Sequence, residues 1–221
     1  MRMSERGRFI VLEGIDYAGK STLVDRLLPA FLFMKEWAIS TREPYDEPEN
    51  EVGFNIRRIL LGEKENPGYT ELQKMFVLAR KWHLDNIVIP ALEEGKHVIC
   101  DRYVASTYAY HRSKGGSFDE VRTWHYDCDC KLDADLTIYV RIPVEVSLER
   151  MKKRAEREIF DKEESLKAIA SAYEQLLRET AEYVPNFRSV DGNRDISEVS
   201  WDIMDMCGEM IPGLDRAGAN S

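Results

Sequence analysis

One stretch near the start of the chain, Phe9 to Thr22, limits the folds open to it more than any other. It begins Phe9-Ile10-Val11-Leu12, an apolar run without alternation, which suits a strand covered on both faces, as in parallel sheets flanked by helices. Glu13 follows, and Gly14-Ile15-Asp16-Tyr17-Ala18-Gly19-Lys20-Ser21 then has the spacing G-x-x-x-x-G-K-S of a P-loop. Glycines let such a turn curl tightly enough to aim backbone N–H groups at a phosphate, and a helix beginning near Gly19 adds its positive dipole end. Lys20 would reach the β and γ phosphates of a nucleotide, and the Ser21 hydroxyl would meet Mg²⁺. The segment Gly14 to Thr22 therefore reads as a binding site for a nucleoside triphosphate.

At 221 residues the chain is long enough for one α/β domain and short for two. Its formal net charge of −9 argues against a duplex nucleic acid partner, and basic clusters such as Lys152-Lys153-Arg154 with Arg157 are local. That pattern fits a small phosphate-bearing ligand. No apolar run approaches the ~20 residues of a membrane helix, and Met1 to Arg8 holds no apolar leader core, so the expected location is the cytoplasm. Cys100, Cys128, Cys130 and Cys207 lack the paired C-x-x-C halves of a zinc site and are expected as reduced thiols.

Beyond the P-loop, Leu23, Leu27, Leu28 and Phe31 predict a helix ending between Pro29 and Phe33, and Trp37 to Thr41 predicts a second strand. That strand delivers Arg42-Glu43-Pro44 to its carboxyl end, where ligands sit in open α/β sheets. Helical spacing resumes through Val52, Ile56, Ile59 and Leu60, and a long helix is expected from Tyr69 to Glu94 with a kink at Pro90. His97 to Asp101 is an apolar strand ending in a carboxylate, the Walker B arrangement that places an acid near Mg²⁺. Ser106 is expected to cap the next helix, and Gly115-Gly116-Ser117 marks a loop before a helix over Phe118 to Asp127. Further strands are expected at Leu136 to Ile142 and Phe187 to Asp191, with helices after Pro143, around Ala168 to Tyr183 and from Ile196 to Met210. Arg150 to Glu164 fits a solvated helix face or a lid. Five strands separated by helices imply a parallel sheet covered on both faces, and 213–221 is expected as a disordered tail.

Several features point to a second, phosphate-bearing substrate. Arg42 and Arg102 each follow a strand end, and Arg80 lies on the long helix; each guanidinium can fork onto phosphate or a base carbonyl. Phe76 lies one helical turn before Arg80, on the same side. Its spacing fits plain core as well as a platform for a base.

These motifs, in this order, resemble the thymidylate kinase family. Phe9 to Thr22 is followed by Thr41-Arg42-Glu43-Pro44, Phe76 with Ala79-Arg80, Asp101-Arg102-Tyr103, Ser106-Thr107-Tyr108-Ala109-Tyr110, Asp135 to Val140, Tyr173 and Val190-Asp191. The resemblance implies an α/β P-loop NTPase fold with sheet order 2-3-1-4-5, a single kinase domain over 1–212 and a lid at about 150–163. It implies transfer of the γ-phosphoryl of ATP to dTMP with Mg²⁺, in a homodimer. Carried over, Arg42 and Arg102 would bind the acceptor phosphate, Phe76 would stack on thymine and Arg80 would contact its carbonyl edge. Ser106, Thr107 and Tyr110 would line the base pocket, Tyr103 would sit against the sugar, and Asp16 would approach the 3'-hydroxyl. Ser21 and Asp101 would serve Mg²⁺, and Lys20 with a lid arginine among Arg150, Arg154 and Arg157 would neutralise the transferring group.

Three positions depart from the family pattern. Tyr45-Asp46-Glu47 stands where glycines commonly follow the Arg-Glu-Pro motif, Tyr17 holds the P-loop position that carries an arginine in some members, and His111 replaces a common glutamine. The rival readings are a kinase of the same fold acting on dUMP, dCMP or several nucleotides, and a nucleotide-binding switch that transfers nothing.

Overall fold

Strand β1, Phe9–Glu13, is buried along its whole length in the computed structural model, which describes residues 6–130, 132–153, 163–212 and 214. Successive side chains of a strand point to opposite faces, and here each face meets its own core. Ile10 and Leu12 join a large cluster with Leu23, Leu27 and Phe31, whereas Phe9 and Val11 pack with Val77, Leu84 and Val88. Each such buried aliphatic side chain contributes roughly 1.5–3 kcal/mol of transfer free energy.

β3 (His97–Asp101) and β4 (Leu136–Arg141) pair in parallel with β1 on either side, and β2 (Ala38–Arg42) and β5 (Phe187–Asp191) form the edges. The order is β2-β3-β1-β4-β5, as expected. Its register pairs Leu12 with Asp101 and Asp101 with Arg42. The P-loop, the Walker carboxylate and the first arginine thus leave the sheet side by side at its carboxyl edge, where ligands bind.

Helix α1, Lys20–Phe33, follows the P-loop and α2 spans Glu51–Leu60. The long helix expected from Tyr69 to Glu94 is divided: α3, Tyr69–His83, passes through a π-helical turn, Leu84–Val88, into α4, Ile89–Glu93. Pro90 has no N–H to donate, and the widened turn before it accommodates the missing bond. α5 (Val104–Ser113), α6 (Phe118–Asp127) and α7 (Val144–Lys152) come next, then α8 (Glu163–Arg178), α9 (Thr180–Tyr183) and α10 (Ile196–Gly208). α8 begins earlier than the expected Ala168 because Leu166 already belongs to its buried face. α6 matches its expected bounds, and Ser117 and Glu120 form a reciprocal capping box at its start. Leu214, inside the expected tail, is fully buried; the rest of 213–221 lies outside the described residues. Among the described residues no helix is long and apolar enough to cross a membrane.

Candidate active site

The P-loop owes its shape to backbone that few residues tolerate. Gly14 has φ 149°, and a Cβ there would stand 2.8 Å from the Val140 carbonyl oxygen; Gly19 has φ 95° at the head of α1. Lys20 folds back over the turn it follows and donates to the carbonyls of Gly14 at 3.2 Å and Ile15 at 3.0 Å. Burial, and then the charge of Arg102, push its pKa down to about 8. From α7, Ser147 donates to the Asp16 carbonyl at 2.7 Å, and Arg150 donates to the carbonyls of Tyr17 and Ala18 at 3.1 and 3.2 Å. Asp16 to Thr22 and Arg150, with Arg42, Asp46, Arg57, Asp101 and Arg102, line a cavity of about 980 Å³. Gly192, Arg194, Ile196 and Val199 also line it.

A second, narrower cavity of about 100 Å³ shares Asp16, Glu43, Arg57 and Arg102 with the first, and Pro44, Leu60, Gln73, Phe76, Ser106, Thr107 and Tyr110 complete it. Arg102 lies at the junction. Its guanidinium pairs with the Asp16 carboxylate and donates to Gly14 O at 2.9 Å and Ser106 Oγ at 3.0 Å. Tyr110 donates its hydroxyl to the other Asp16 oxygen at 2.8 Å. Burial works against the Asp16 charge, but Arg102, Lys20 and Tyr110 hold its pKa below the usual carboxylate range. On the other wall, Asp46 accepts from Arg42 at 2.8 Å and from Arg57 at 3.0 Å. Two guanidiniums that line the large cavity thus share one carboxylate of the loop after β2.

A family model described as thymidylate kinase matches residues 12–203. The chain belongs to the thymidylate kinase family. It is 33% identical over 207 residues to the thymidylate kinase of Methylobacillus flagellatus, covering 92% of this chain and 98% of that protein. A protein of Pyrococcus horikoshii named as a probable thymidylate kinase is 35% identical over 215 residues, 95% of this chain and 100% of its own length. The thymidylate kinase of Alkalilimnicola ehrlichii is 40% identical over 154 residues, 68% of this chain and 69% of its own.

For a thymidylate kinase family chain, most of the expected site residues converge. Asp16 to Thr22 and Arg150 line the large cavity, Gly14 and Ile15 sit behind it with their carbonyls on Lys20, and Phe76, Ser106, Thr107 and Tyr110 line the small one with Asp16 and Arg102. Two residues expected at the acceptor are instead interior. Arg80 is 1% exposed and lines neither cavity: it donates to Glu43 at 2.7 Å, Thr107 at 3.2 Å, the Tyr103 carbonyl at 3.0 Å and His125 Nε2 at 2.5 Å. His125 is held neutral, its pKa pushed to about 3 by burial and the Arg80 charge, and its Nδ1–H donates to Val121 O. Tyr103 packs its ring 5.0 Å from the Arg80 guanidinium and donates its hydroxyl to Leu132 O at 2.7 Å. Arg102 adopts φ 73°, and the turn sends its guanidinium to the cavity and Tyr103 to the core. Arg154 and Arg157 lie outside the described residues.

Sequence reasoning missed several contributors. Ser106 does not cap α5; Glu13 of β1 does, accepting from the backbone N–H of Tyr103 at 2.8 Å and of Ser106 at 3.0 Å. Its other oxygen accepts from the hydroxyls of Ser106 at 2.6 Å and Tyr173 at 2.8 Å. Gly192 and Arg194 follow the end of β5, so the strand-end rule that singled out Arg42 and Arg102 also finds them. Gln73 and Arg57 carry no local signal beyond their position on a helix face.

Ser21 and Asp101 form the part of the site suited to a divalent cation. Asp101 Oδ2 accepts from Ser21 Oγ at 2.7 Å, and Asp101 Oδ1 is buried without a hydrogen-bond partner. Among the described residues no cluster of three or more acidic, His or Cys ligands forms. One carboxylate and one hydroxyl beside the phosphate loop suit a hard cation that takes its remaining ligands from phosphate and water. The site fits.

Proposed function

We propose that this chain transfers the γ-phosphoryl group of ATP to the 5'-phosphate of dTMP, giving ADP and dTDP. The observation that carries the reading is the junction of the two cavities. The phosphate loop and Arg42 line a large cavity that shares Arg57 and Arg102 with a side cavity walled by the aromatic ring of Phe76. Among the described residues these three guanidiniums share two carboxylates, Asp46 and Asp16, and the positive charge left over suits an acceptor that already bears phosphate.

The donor triphosphate would lie along the N–H groups from Gly14 to Thr22, with its nucleoside toward Gly192, Arg194, Ile196 and Val199. Mg²⁺, held by Ser21 and Asp101, would offset charge on the β and γ phosphates. Lys20 would exchange its two carbonyl acceptors for the phosphates, and Arg150 reaches the same loop from α7. Arg102, with Arg42 and Arg57, would hold the acceptor phosphate in line, where an oxygen of that phosphate forms its bond to the γ phosphorus as the bridging bond to ADP breaks. Such transfer needs alignment and charge compensation more than proton abstraction. Phe76 would stack on the base, beside Thr107, Ser106 and Tyr110.

The reaction would take place in the cytoplasm, a reducing compartment that suits the free thiols Cys100, Cys128, Cys130 and Cys207. The active form is a homodimer. Phe54 of α2, Leu78 of α3 and Tyr126 of α6 are exposed apolar side chains on helices of one flank, which suits burial against a second copy. Sedimentation velocity that finds only monomer would remove that part.

ADP release with Mg-ATP, measured against dTMP, dUMP, dCMP, dGMP, UMP, AMP, thymidine and no acceptor, tests the reaction. Preference for dTMP is expected. Equal turnover of a purine nucleotide would discard the thymine pocket, and release independent of acceptor would discard the kinase.

A further inference from the structure

The loop after β2 departs from the family pattern at Tyr45-Asp46-Glu47, and the carboxylate it carries is engaged on the wall of the large cavity. The two oxygens of Asp46 are divided between two guanidiniums. Arg42 gives Oδ1 one edge of its guanidinium, Nη2 at 2.8 Å and Nε at 3.3 Å, and Arg57 gives Oδ2 its Nε at 3.0 Å. Burial works against the Asp46 charge, but the two guanidiniums overcome it and hold its pKa below the usual carboxylate range.

The three side chains differ in how firmly the fold holds them. Arg42 is 60% exposed, Arg57 28% and Asp46 12%. The loop on which Asp46 sits is fastened to α3 and α2. The Tyr45 ring stacks on His83 at 5.0 Å and on Trp82 at 5.7 Å, and a Cβ at Gly53 of α2 would stand 2.0 Å from the Tyr45 carbonyl oxygen. Asn50 caps α2 through the Gly53 N–H and donates to Ala79 O of α3 at 3.0 Å. The carboxylate is therefore the fixed point, and the exposed Arg42 is the side chain that it holds. Gripped along one edge, Arg42 keeps N–H groups on its terminal nitrogens for a phosphate in the cavity.

We propose that Asp46 is a positioning residue for the acceptor, setting Arg42 and Arg57 at a fixed spacing on the cavity wall before the acceptor's phosphate arrives. This role rests on the reading of the site as one for a nucleoside monophosphate. Two effects of the carboxylate oppose each other. Its charge repels an incoming phosphate, but beside a largely exposed guanidinium water and salt screen that repulsion. The ordering of two long side chains is not screened; without Asp46 it accompanies binding and weakens it, roughly tenfold for the pair. The ordering effect wins.

Steady-state kinetics of Asp46→Ala, Asp46→Asn, Arg42→Ala and the double variant Arg42→Ala/Asp46→Ala test it. Asp46→Ala should raise the KM for dTMP about tenfold, while kcat and the KM for Mg-ATP stay within about twofold of wild type. Asp46→Asn retains one accepting oxygen and should raise it less. In the Arg42→Ala background, Asp46→Ala should raise the KM much less than it does alone, because the side chain it holds is gone. A fall in the dTMP KM would make the carboxylate a repulsive group and overturn the proposal, and an unchanged KM would overturn it too. So would a full tenfold effect repeated in the Arg42→Ala background, or a variant that melts far below wild type and loses dTMP and Mg-ATP together. Should Asp46→Ala not fold, Asp46→Asn decides by the same comparison. Wild-type protein that prefers another nucleoside monophosphate would overturn the dTMP reading alone, and the same kinetics with that nucleotide would decide the role of Asp46. Wild type indifferent to any acceptor would overturn both.

Discussion

Lys20 concentrates the physical tension of the site in one side chain. Folded against its own loop and beside Arg102, it holds its proton less tightly than a free lysine, with a pKa of about 8 against 10.5. The sign of the consequence follows. Below pH 8 the ammonium is charged and attracts the triphosphate; above it the free enzyme loses that charge, so kcat/KM for Mg-ATP should fall about tenfold per pH unit above about 8. Bound phosphates raise the same pKa, so kcat should stay level to higher pH. A kcat/KM profile that is flat through pH 9.5 would contradict this placement of Lys20. In stability the same group acts in the opposite direction. Between pH 8 and 10.5 the unfolded chain keeps a proton that the folded chain has released, so the contribution of Lys20 to stability rises with pH across that window. The P-loop lysine was legible from spacing alone. Its company was not, because Arg102 comes from the end of β3, some eighty residues away in the chain.

Helix α3 shows how one element divides its tasks. The motif Arg42-Glu43-Pro44 at the end of β2 reads as a phosphate-binding signal, yet Glu43 turns inward and fixes Arg80 at 2.7 Å, with His83 beside it. Burial disfavours the Glu43 charge, and Arg80 more than compensates, leaving its pKa lowered. Removing the guanidinium would leave that carboxylate buried without its partner, a change that costs ~3–5 kcal/mol in comparable pairs. Arg80→Ala should therefore lower the melting temperature by roughly 10 °C, in addition to any effect on acceptor binding. The double variant Arg80→Ala/Glu43→Ala should lose less than the two single changes added together. Thermal melting of the three variants checks this; a stable Arg80→Ala would show that the arginine is free to serve the ligand. Glu13 has a comparable role on β1. Its buried carboxylate caps α5 and accepts from Tyr173 of α8, so the strand before the P-loop also positions the helix that carries Ser106, Thr107 and Tyr110.

At the scale of the whole molecule, the two cavities open at the carboxyl edge of one parallel sheet, so ligands there bind only the folded chain. Mg-ATP at about 100 times its Kd should stabilise the protein by about 2.7 kcal/mol, or roughly 5–10 °C in melting temperature. Chelating the divalent ion should remove much of that gain, because Ser21 and Asp101 would lose their bridge to the phosphates. A gain that is the same with and without chelator would remove the cation from the site. The order β2-β3-β1-β4-β5 decides where these groups meet: it sets the P-loop beside Asp101 and Asp101 beside Arg42. The chain by itself determined the strands, the phosphate loop, the family and most of the cavity-lining residues, because periodicity, glycine spacing and strand ends are local properties. Tertiary structure alone decided that Arg80 and Tyr103 face the interior. Those directions depend on which partners other elements bring: Glu43 from just past β2, Thr107 from α5 and His125 from α6 close around the guanidinium.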